Sequence, residues 1–270
     1  MIIQIYEIQT AWEAEKCIEA GVDHIGSVIL SDRDWRLPDL RETIRVCDGS
    51  RVKNSIIPLF SDVDRISRVI DYYRPAIIHL CDSLTDEQGM LKDLERFIED
   101  QRKIKQRFPE IGITRSIPIP IKGSVSDFPT LAIARELEQV SDMFQTDTWI
   151  GKGPVEGFIG ITGKRCDIRI ARELVIQSRI PVILAGGLSP ENVYEALIDV
   201  CPAGADSCTL TNSLDREGRP IRFKKDFIKV REFVREARRA AENLPDKKER
   251  KKREIEELEE EIAVKEGLNL

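Results

Sequence analysis

Two adjacent glycines, Gly186 and Gly187, are the first residues in this sequence whose type and spacing suit ligand binding. They follow the apolar run PVILA, which is typical of a buried β-strand, and they precede Ser189-Pro190-Glu191, which favours the start of a helix. Glycine lacks the side chain that keeps ligands away from the backbone, and a helix N-terminus offers unpaired NH groups and a partial positive charge. The segment therefore suits a phosphate group, although a Gly-Gly pair also forms simple tight turns.

Two other segments carry groups of the same kind near the ends of predicted strands. Gly160, Thr162 and Gly163 follow the sixth predicted strand, and Ser207 and Cys208 lie at the end of the eighth. Backbone NH groups of such turns can hold a phosphate without any charged side chain. We therefore predict that the three segments form one phosphate site, with Cys208 either lining its rim or filling the core.

Acid-base chemistry has one strong candidate, Asp147, at the end of the predicted strand Asp142–Asp147. An aspartate there could transfer protons at the edge of a sheet, or it could cap the loop that follows. His79 and Cys81 share one face of another predicted strand and could bind a metal, but the only other histidine is His24. We favour a structural histidine and predict neither a metal nor a cofactor.

Eight consecutive strand-helix units position these residues. Because no break in composition separates the units, they predict the α/β fold class and a single (β/α)8 TIM barrel of the phosphate-binding type over residues 1–243. The active site of such a barrel lies at the carboxyl ends of the strands. The predicted strands are Ile2–Ile8, Asp23–Leu30, Ser55–Phe60, Ala76–Leu80, Gly112–Pro120, Asp142–Asp147, Pro181–Ala185 and Ala205–Leu210. The predicted helices are Thr10–Ala20, Leu37–Val46, Val63–Tyr73, Thr85–Phe108, Thr130–Gln139, Asp167–Ser178, Pro190–Val200 and Lys224–Glu242.

The last segment of the chain, residues 244–270, differs from the rest in composition. Leu244-Pro245-Asp246 interrupts the final barrel helix, and the basic run KKERKKR is followed by the acidic run EIEELEEEI. The apolar stripe of this segment is thin. We therefore predict a charged C-terminal helical extension that packs weakly on the barrel or on a partner subunit, where it could support a homo-oligomer.

Composition narrows the class of protein. The chain has 270 residues, of which 33% are charged, and its formal net charge of -6 argues against a general nucleic-acid-binding surface. Six cysteines are scattered without CxxC spacing, and neither a signal peptide nor a long apolar run is evident. We expect a reduced, cytoplasmic protein that binds a small phosphorylated substrate and neither nucleic acid nor a membrane.

Four motifs occur in an informative order: AGVDHIG at residues 20–26, GITGK at 160–164 with Asp167 three residues on, ILAGGLSPENV at 183–193, and GADS at 204–207. Their order and spacing resemble those of the phosphoribosylanthranilate isomerase family over about residues 1–212. The resemblance implies a phosphate-binding barrel that performs an Amadori rearrangement of an aminated ribose phosphate in tryptophan synthesis.

The resemblance also implies site residues, and here the chain departs from the family. Asp147 corresponds to the family's general acid, and Arg36 could match an arginine in the loop after strand two. The family's general base is a cysteine in a Cys-Gly pair at the end of strand one, where this chain has Tyr6-Glu7. Glu7 could replace the base opposite Asp147, or it could point away from the pocket. Tyr6 could donate a hydrogen bond to a substrate oxygen, or it could serve packing alone.

Functions from different classes fit this pattern. The first is an isomerase with a substituted base, and the second is a non-catalytic relative that keeps the phosphate site and senses a ligand or scaffolds a partner. An aldolase or epimerase ranks behind both, because only Lys122 and Lys164 are Schiff-base candidates near predicted strand ends.

Overall fold

The computed structural model describes residues 1–125 and 127–245 of the chain. Eight parallel strands form a closed barrel in which each strand pairs with its neighbours in chain order. The predicted (β/α)8 TIM barrel is therefore confirmed. The strands are β1 Ile2–Ile5, β2 His24–Ile29, β3 Lys53–Pro58, β4 Ile77–Leu80, β5 Gly112–Pro120, β6 Met143–Trp149, β7 Val182–Leu184 and β8 Gly204–Ser207.

A helix follows each strand of the barrel, and side-chain caps fix several of the helix starts. Thr10 and Glu13 form a capping box at the first helix, which ends at Gly21 with a φ of 85°. Asp167 and Asp226 cap the sixth and eighth helices. The helices are α1 Ala11–Ala20, α2 Pro38–Asp48, α3 Val63–Tyr73, α4 Glu95–Arg107, α5 Thr130–Leu137, α6 Ile168–Gln177, α7 Val193–Val200 and α8 Phe227–Glu242.

Strand residues are buried on both faces, because helices cover the outside of the barrel and side chains fill its inside. On β1, Ile3 and Ile5 belong to the apolar core. Gln4 lies between them and donates hydrogen bonds to Gln145 of β6 at 2.6 Å and to Asp206 of β8 at 3.1 Å. The barrel interior thus contains polar side chains that join three strands.

Two strands differ in length from the prediction. β1 stops at Ile5 rather than Ile8, because Glu7 has a φ of 62°, which ends the extended conformation. β6 continues past Asp147 to Trp149, because its last residues still pair with β5. Asp147 therefore lies within a hydrogen-bonded strand and not in a loop.

The fourth helix begins later than predicted, at Glu95 rather than Thr85. The Asp86 side chain accepts hydrogen bonds from the NH groups of Gln88 at 2.9 Å and Met90 at 2.8 Å. An aspartate that binds the backbone ahead of it stabilises a turn in competition with a helix. The residues from Thr85 to the helix therefore form part of the loop after β4.

The seventh helix also begins later, at Val193 rather than Pro190. The Asn192 side chain accepts a hydrogen bond from the NH group of Ser189 and donates one to the carbonyl of Gly187, both at 2.9 Å. These bonds hold a turn between the glycine pair and the helix. The glycines are thus presented by a braced loop and not by the first turn of the helix itself.

An antiparallel hairpin between β8 and α8 was not predicted. Its strands are β9 Asn212–Leu214 and β10 Pro220–Lys225. It follows a short 3-10 turn at Thr209–Thr211, where the eighth strand was expected to run on to Leu210. The Lys225 side chain donates a hydrogen bond to the carbonyl of Cys208 at 2.7 Å, which fastens the hairpin to the end of β8.

The predicted C-terminal extension lies outside the described residues except for Leu244 and Pro245. The division of the chain into a barrel over 1–243 and an extension over 244–270 therefore stays a prediction. Over residues 1–125 and 127–245, every helix is too short or too polar to cross a membrane.

Candidate active site

Two adjoining cavities open at the carboxyl ends of the barrel strands. The larger has a volume of about 560 Å³ and the smaller about 350 Å³. Four residues line both cavities: Asp147, Ile161, Asp206 and Cys208. A ligand that occupies both cavities would pass between these residues.

The smaller cavity, which we call the glycine cup, is formed by the three segments singled out in the sequence. Its wall includes Thr162 and Gly163, then Gly186 and Gly187, then Ser207 at the end of β8. Gly160 lines the larger cavity instead. The structure therefore brings the three predicted segments together, with one glycine in the neighbouring compartment.

Glycine is required at two positions of the cup. Gly186 and Gly187 have φ values of 100° and 65°, which side chains rarely adopt. An added Cβ would lie 2.5 Å from the Thr148 hydroxyl at Gly186 and 2.6 Å from the Lys164 carbonyl carbon at Gly187. The backbone of the cup can therefore approach a ligand closely, and a side chain here would force the loops apart.

Hydrogen bonds between the loops brace the cup. The Ser207 hydroxyl donates to the carbonyl of Leu188 at 2.9 Å, and the Thr148 hydroxyl donates to the carbonyl of Lys164 at 2.7 Å. Among the described residues that line the cup, none is a lysine or an arginine. Backbone NH groups would therefore be the donors for an anion bound in this cup.

The larger cavity, which we call the apolar cavity, has one cationic side chain among its described lining residues, that of Arg222 on β10. Part of its wall comes from the loop between β6 and α6, which is fastened to the end of β4. In that loop Ile159 donates a backbone hydrogen bond to Cys81 at 2.9 Å. Apolar side chains form most of the rest of the wall: Val28, Ile57, Leu59, Val155, Phe158, Ile159 and Ile161.

Ile161 lies at the junction of the two cavities in a strained conformation. Its φ of 60° is in the left-handed region, which β-branched residues avoid. Such strain costs roughly 1–3 kcal/mol and persists only where the surrounding structure fixes it. The loop therefore holds Ile161 between the two cavities in a backbone conformation that isoleucine disfavours.

Asp147 is half-buried at this junction and accepts a hydrogen bond from the Ser116 hydroxyl of β5 at 2.6 Å. Burial raises the pKa of Asp147 to about 7, although the bond from Ser116 acts in the opposite direction. An ideal Cβ on Gly160 would lie 3.0 Å from a carboxylate oxygen of Asp147. The carboxyl group thus lies between Ser116 of the barrel interior and Gly160 of the loop after β6.

Tyr6 lies inside the barrel mouth, and its hydroxyl is 2.7 Å from both the Ser55 hydroxyl and Nδ1 of His79. Burial raises the pKa of Tyr6 well above its usual value. The tyrosine ring lies against Gly26 of β2, where an added Cβ would be 2.0 Å from it. Tyr6 therefore fills space that exists because residue 26 has no side chain.

His79 continues this set of bonds, because its Nε2 is 2.8 Å from the Ser116 hydroxyl. Burial, together with the charge of Arg115, lowers the pKa of His79 to about 3, so the ring is neutral. Over the described residues, no group of three or more histidine, cysteine, aspartate or glutamate side chains is arranged to hold a metal. His79 is thus a member of a buried hydrogen-bond network.

Glu7 faces the apolar cavity, but its carboxylate is already bound. Oε1 accepts from Nε of Arg222 at 2.7 Å, and Oε2 accepts from Asn212 at 3.1 Å and from the NH group of Phe223 at 3.2 Å. Burial acts to raise the pKa of Glu7, but Arg222 and the nearby charge of Lys225 outweigh it and the pKa is lowered. Glu7 is therefore an anchor for the hairpin.

Two residues of the site were not singled out from the sequence. Asp206 is buried beside Gln4, and burial raises the pKa of Asp206 to about 8. Its place in the GADS motif at the end of β8 was the available signal. Arg222 reaches the cavity because it lies on the hairpin, which was not predicted from the sequence.

Arg36 is not brought to either cavity. It is exposed, and its guanidinium lies 4.6 Å from the ring centre of Trp35 and 5.6 Å from that of Tyr72. Aromatic faces attract a guanidinium and hold it on the outside of the barrel. Lys122 and Lys164 are exposed as well and line neither cavity.

Comparison with known proteins adds to this geometry. No protein-family model matches the chain. It is 29% identical over 247 residues to N-(5'-phosphoribosyl)anthranilate isomerase from Methanocella arvoryzae, a match that covers 87% of this chain and 97% of that protein. The corresponding protein from Methanothrix thermoacetophila is 27% identical over 239 residues, with the same coverage of both chains. Over most of its length the chain is thus similar to phosphoribosylanthranilate isomerases.

Solved structures of phosphoribosylanthranilate isomerases share the fold. The crystal structure of the Thermotoga maritima protein has a TM-score of 0.63 at 22% identity and covers 88% of this chain and 99% of its own. Another structure of a phosphoribosylanthranilate isomerase, in complex with reduced 1-(o-carboxyphenylamino)-1-deoxyribulose 5-phosphate, has a TM-score of 0.61 at 20% identity, with coverage of 88% and 99%. At these identities the likeness concerns the fold alone.

The backbone conformation of Glu7 has a physical explanation. Glu7 falls where the resemblance puts the family's glycine, and its φ of 62° is one that glycine adopts without strain. The backbone at the end of β1 thus keeps a glycine conformation with a charged side chain on it. The ion pair with Arg222 helps to hold that conformation in place.

Proposed function

We propose that the protein isomerises N-(5'-phosphoribosyl)anthranilate, an aminated pentose phosphate, by an Amadori-type rearrangement. The observation that carries the proposal is the meeting of the glycine cup and the apolar cavity at two carboxyl groups of raised pKa, those of the half-buried Asp147 and the buried Asp206. A substrate with a phosphate at one end and an aromatic ring at the other would place its sugar carbons beside these groups.

Each compartment suits one part of such a substrate. Backbone NH groups of the glycine cup would hold the phosphate, and the walls of the apolar cavity, including Phe158, would contact the ring. Arg222 would attract the carboxylate on that ring, since it is the cationic side chain that reaches this cavity. Arg36, which the sequence placed at the substrate, reaches neither cavity.

Asp147 is the proposed acid. With a pKa of about 7, it keeps its proton in a substantial fraction of molecules at neutral pH, which an ordinary aspartate does not. Proton transfer to the ring oxygen breaks the C1–O bond and leaves a C1=N bond. Asp206, with a pKa of about 8, would be protonated and could donate a hydrogen bond to a sugar hydroxyl. Glu7 is poorly suited to remove the C2 proton, because its carboxylate is fully hydrogen-bonded.

The experiment is a turnover assay of the full chain with N-(5'-phosphoribosyl)anthranilate, followed through the absorbance or fluorescence of the anthranilate group. We expect turnover, and we expect Asp147→Asn to lower kcat by roughly 10²- to 10⁴-fold. Asp34→Asn, which changes an exposed aspartate outside both cavities, is the control and should leave kcat unchanged. No turnover, together with no rescue of a tryptophan auxotroph that lacks this isomerase, would refute the proposal.

A second candidate is a non-catalytic relative that binds the same kind of ligand. It is favoured by the strand-one end of the cavity, where Tyr6 and the ion pair between Glu7 and Arg222 replace the family's Cys-Gly pair. Titration calorimetry with reduced 1-(o-carboxyphenylamino)-1-deoxyribulose 5-phosphate distinguishes the two. Tight binding without turnover of the true substrate would support this second function.

A further inference from the structure

Tyr6, which follows the end of β1, and side chains from β4, β5 and β6 form a continuous hydrogen-bond path inside the barrel. It runs from the Tyr6 hydroxyl to Nδ1 of His79 at 2.7 Å, from Nε2 of His79 to the Ser116 hydroxyl at 2.8 Å, and from Ser116 to Asp147 at 2.6 Å. Tyr6, His79 and Ser116 are 3%, 0% and 0% exposed, so water does not compete along it. The path joins the position of the family's missing base to the proposed acid.

The charge on Asp147 fixes the direction of every bond in the path. A carboxylate only accepts, so Ser116 donates to it, and the Ser116 oxygen is then left to accept from Nε2–H of His79. Nδ1 of that neutral ring carries no proton and accepts from the Tyr6 hydroxyl. When Asp147 is protonated and donates to Ser116, each of these bonds reverses.

We propose that Tyr6, His79 and Ser116 form a proton path that returns the proton taken from the substrate to Asp147, and thereby replaces the missing catalytic base. The inference deepens the proposed isomerase function and rests on it. Asp147 becomes a carboxylate when it protonates the ring oxygen, and that carboxylate is the final acceptor of the next proton.

The proton balance of this step is complete. The C2–H bond of the substrate breaks, its electron pair forms the C1=C2 bond, and the C1=N pair moves to nitrogen. The released proton binds the Tyr6 oxygen while the Tyr6 proton moves to Nδ1 of His79, the Nε2 proton moves to Ser116, and the Ser116 proton moves to Asp147. No path residue is left charged, Asp147 is again an acid, and the ring proton of His79 is now on Nδ1. The path can act again once Asp147 has lost its proton to the next substrate and the ring proton has returned to Nε2, which is the tautomer exchange tested below.

Burial makes stepwise ionisation along the path unfavourable. It raises the pKa of Tyr6 well above its usual value and lowers the pKa of His79 to about 3, so neither a tyrosinate nor an imidazolium would be stable. Tautomer exchange of a neutral imidazole moves a proton across the ring without either ion. A tyrosine that is a poor base on its own can thus accept a proton as it releases another.

Other titratable groups surround the two ends of this path. Tyr6, Cys81, Cys166 and Asp206 interact electrostatically with Asp147, and Arg115 with His79. Of these, Asp206 has a pKa of about 8 and titrates near the same range. An Asp206→Asn variant is therefore measured beside the path variants.

The test reads the tautomer of His79 directly and needs no turnover. The chain has only 2 histidines, so ¹⁵N-histidine NMR gives two ring systems, which His24→Gln assigns. At about pH 9, above the pKa of Asp147, we expect the proton on Nε2, and at about pH 5.5, below that pKa, on Nδ1, with a neutral ring at both. The proton should change nitrogen near the pKa of Asp147.

Two serines provide a matched pair of variants. Ser116→Ala interrupts the path, whereas Ser55→Ala removes a similarly buried hydroxyl that binds Tyr6 beyond the path. We expect Ser116→Ala and Asp147→Asn to abolish the tautomer exchange, and Ser55→Ala and Asp206→Asn to keep it. A single tautomer across this pH range in the unmodified protein, or an exchange that survives Asp147→Asn, would overturn the proposal.

The kinetic arm separates the path from the proposed substrate. Ser116→Ala should lower kcat by about 10²-fold with little change in KM, and Ser55→Ala by less than about threefold. Thermal unfolding of both variants checks that they fold. If one of them does not fold, Asp147→Asn serves as the second variant that interrupts the path. If His79 changes tautomer but the substrate is not turned over, the proton path is supported and the proposed substrate is refuted. If the substrate is turned over but His79 does not change tautomer, the proton path is refuted.

Discussion

Burial opposes the ionisation of Asp206. It is 4% exposed, and burial raises its pKa from 3.8 to about 8, with a smaller upward contribution from Asp147. The folded protein therefore holds a proton that the unfolded chain releases between these two pH values. Its contribution to stability is intact below pH 3.8 and is lost as pH rises towards 8.

An Asp206→Asn variant should therefore gain stability over the parent protein as pH rises. Asparagine is neutral at every pH and keeps an oxygen that accepts the bond from Gln4, so the difference in free energy of unfolding should grow between about pH 5 and pH 9, to on the order of 3 kcal/mol. Urea unfolding at both pH values measures it. A difference that does not depend on pH would show that Asp206 is not a buried, protonated acid.

At the residue scale, sequence reasoning located the groups that lie in short motifs. Asp147 and the glycines of the cup could be predicted because a strand followed by a polar or glycine-rich turn is a local pattern. Glu7 could be placed at the cavity but not assigned a partner, because Arg222 is 215 positions away in sequence. Arg36 was placed wrongly in space, since the loop after β2 has no local pattern that sets its direction.

At the scale of elements, the loop after β7 controls the glycine cup. Gly187→Ala would combine a left-handed φ of 65° with a Cβ 2.6 Å from backbone atoms of Lys164. We expect weaker binding of inorganic phosphate or of a phosphorylated ligand, measured by calorimetry, and a loss of more than about 1–3 kcal/mol of stability.

Gly218→Ala is the matched control for this change. Gly218 has a φ of 79°, but a Cβ there would have no atom within 4 Å. Gly218→Ala therefore introduces the same kind of backbone strain but no steric clash of the added Cβ. Gly218 lies on the hairpin, outside the glycine cup. Similar loss of phosphate binding in both variants would mean that general destabilisation, and not the shape of the cup, explains the effect.

The hairpin β9–β10 depends on the ion pair between Arg222 and Glu7. Arg222→Met would leave a carboxylate that is 1% exposed without its charged partner. Because Arg222 itself is 38% exposed, we expect a cost of about 1–2 kcal/mol in urea unfolding. We also expect a higher KM for the anthranilate substrate, since the cation of the apolar cavity is gone.

Arg219→Met serves as the control on the same hairpin. Arg219 binds Asp215 and Glu217 on an exposed surface, so its loss should change stability by less than about 0.5 kcal/mol. Adding Glu7→Gln to Arg222→Met should recover part of the lost stability, because the uncompensated charge is then removed. Additive losses in the double variant would contradict the ion pair described here.

At the scale of the whole molecule, the barrel was predictable and the network across it was not. Eight repeated strand-helix units specify closure, because each unit carries its own apolar pattern and turn. The proton path joins residues 31 to 73 positions apart, and no local pattern indicates which inward-facing side chains meet. The hairpin was missed because β9 is only 3 residues long and β10 is mostly charged or exposed.

The barrel should be complete without the C-terminal residues 246–270. Buried core residues of the described chain extend to Ala240 in α8, which ends at Glu242. We expect a chain that ends at Pro245 to keep the melting temperature and the turnover of the full chain. A fall in melting temperature of more than about 4 °C, which corresponds to more than 1 kcal/mol, would show that the extension stabilises the barrel.

The contact between Tyr6 and Gly26 limits which residues can occur together at positions 6 and 26. The tyrosine ring fits only because residue 26 lacks a Cβ, which would otherwise lie 2.0 Å from it. A small residue at position 6 tolerates either glycine or alanine at position 26, but tyrosine tolerates glycine alone. Tyrosine at position 6 therefore requires glycine at position 26, and Gly26→Ala should be tolerated only together with a smaller residue at position 6. A relative with tyrosine at position 6 and a residue larger than glycine at position 26 would need a different barrel interior.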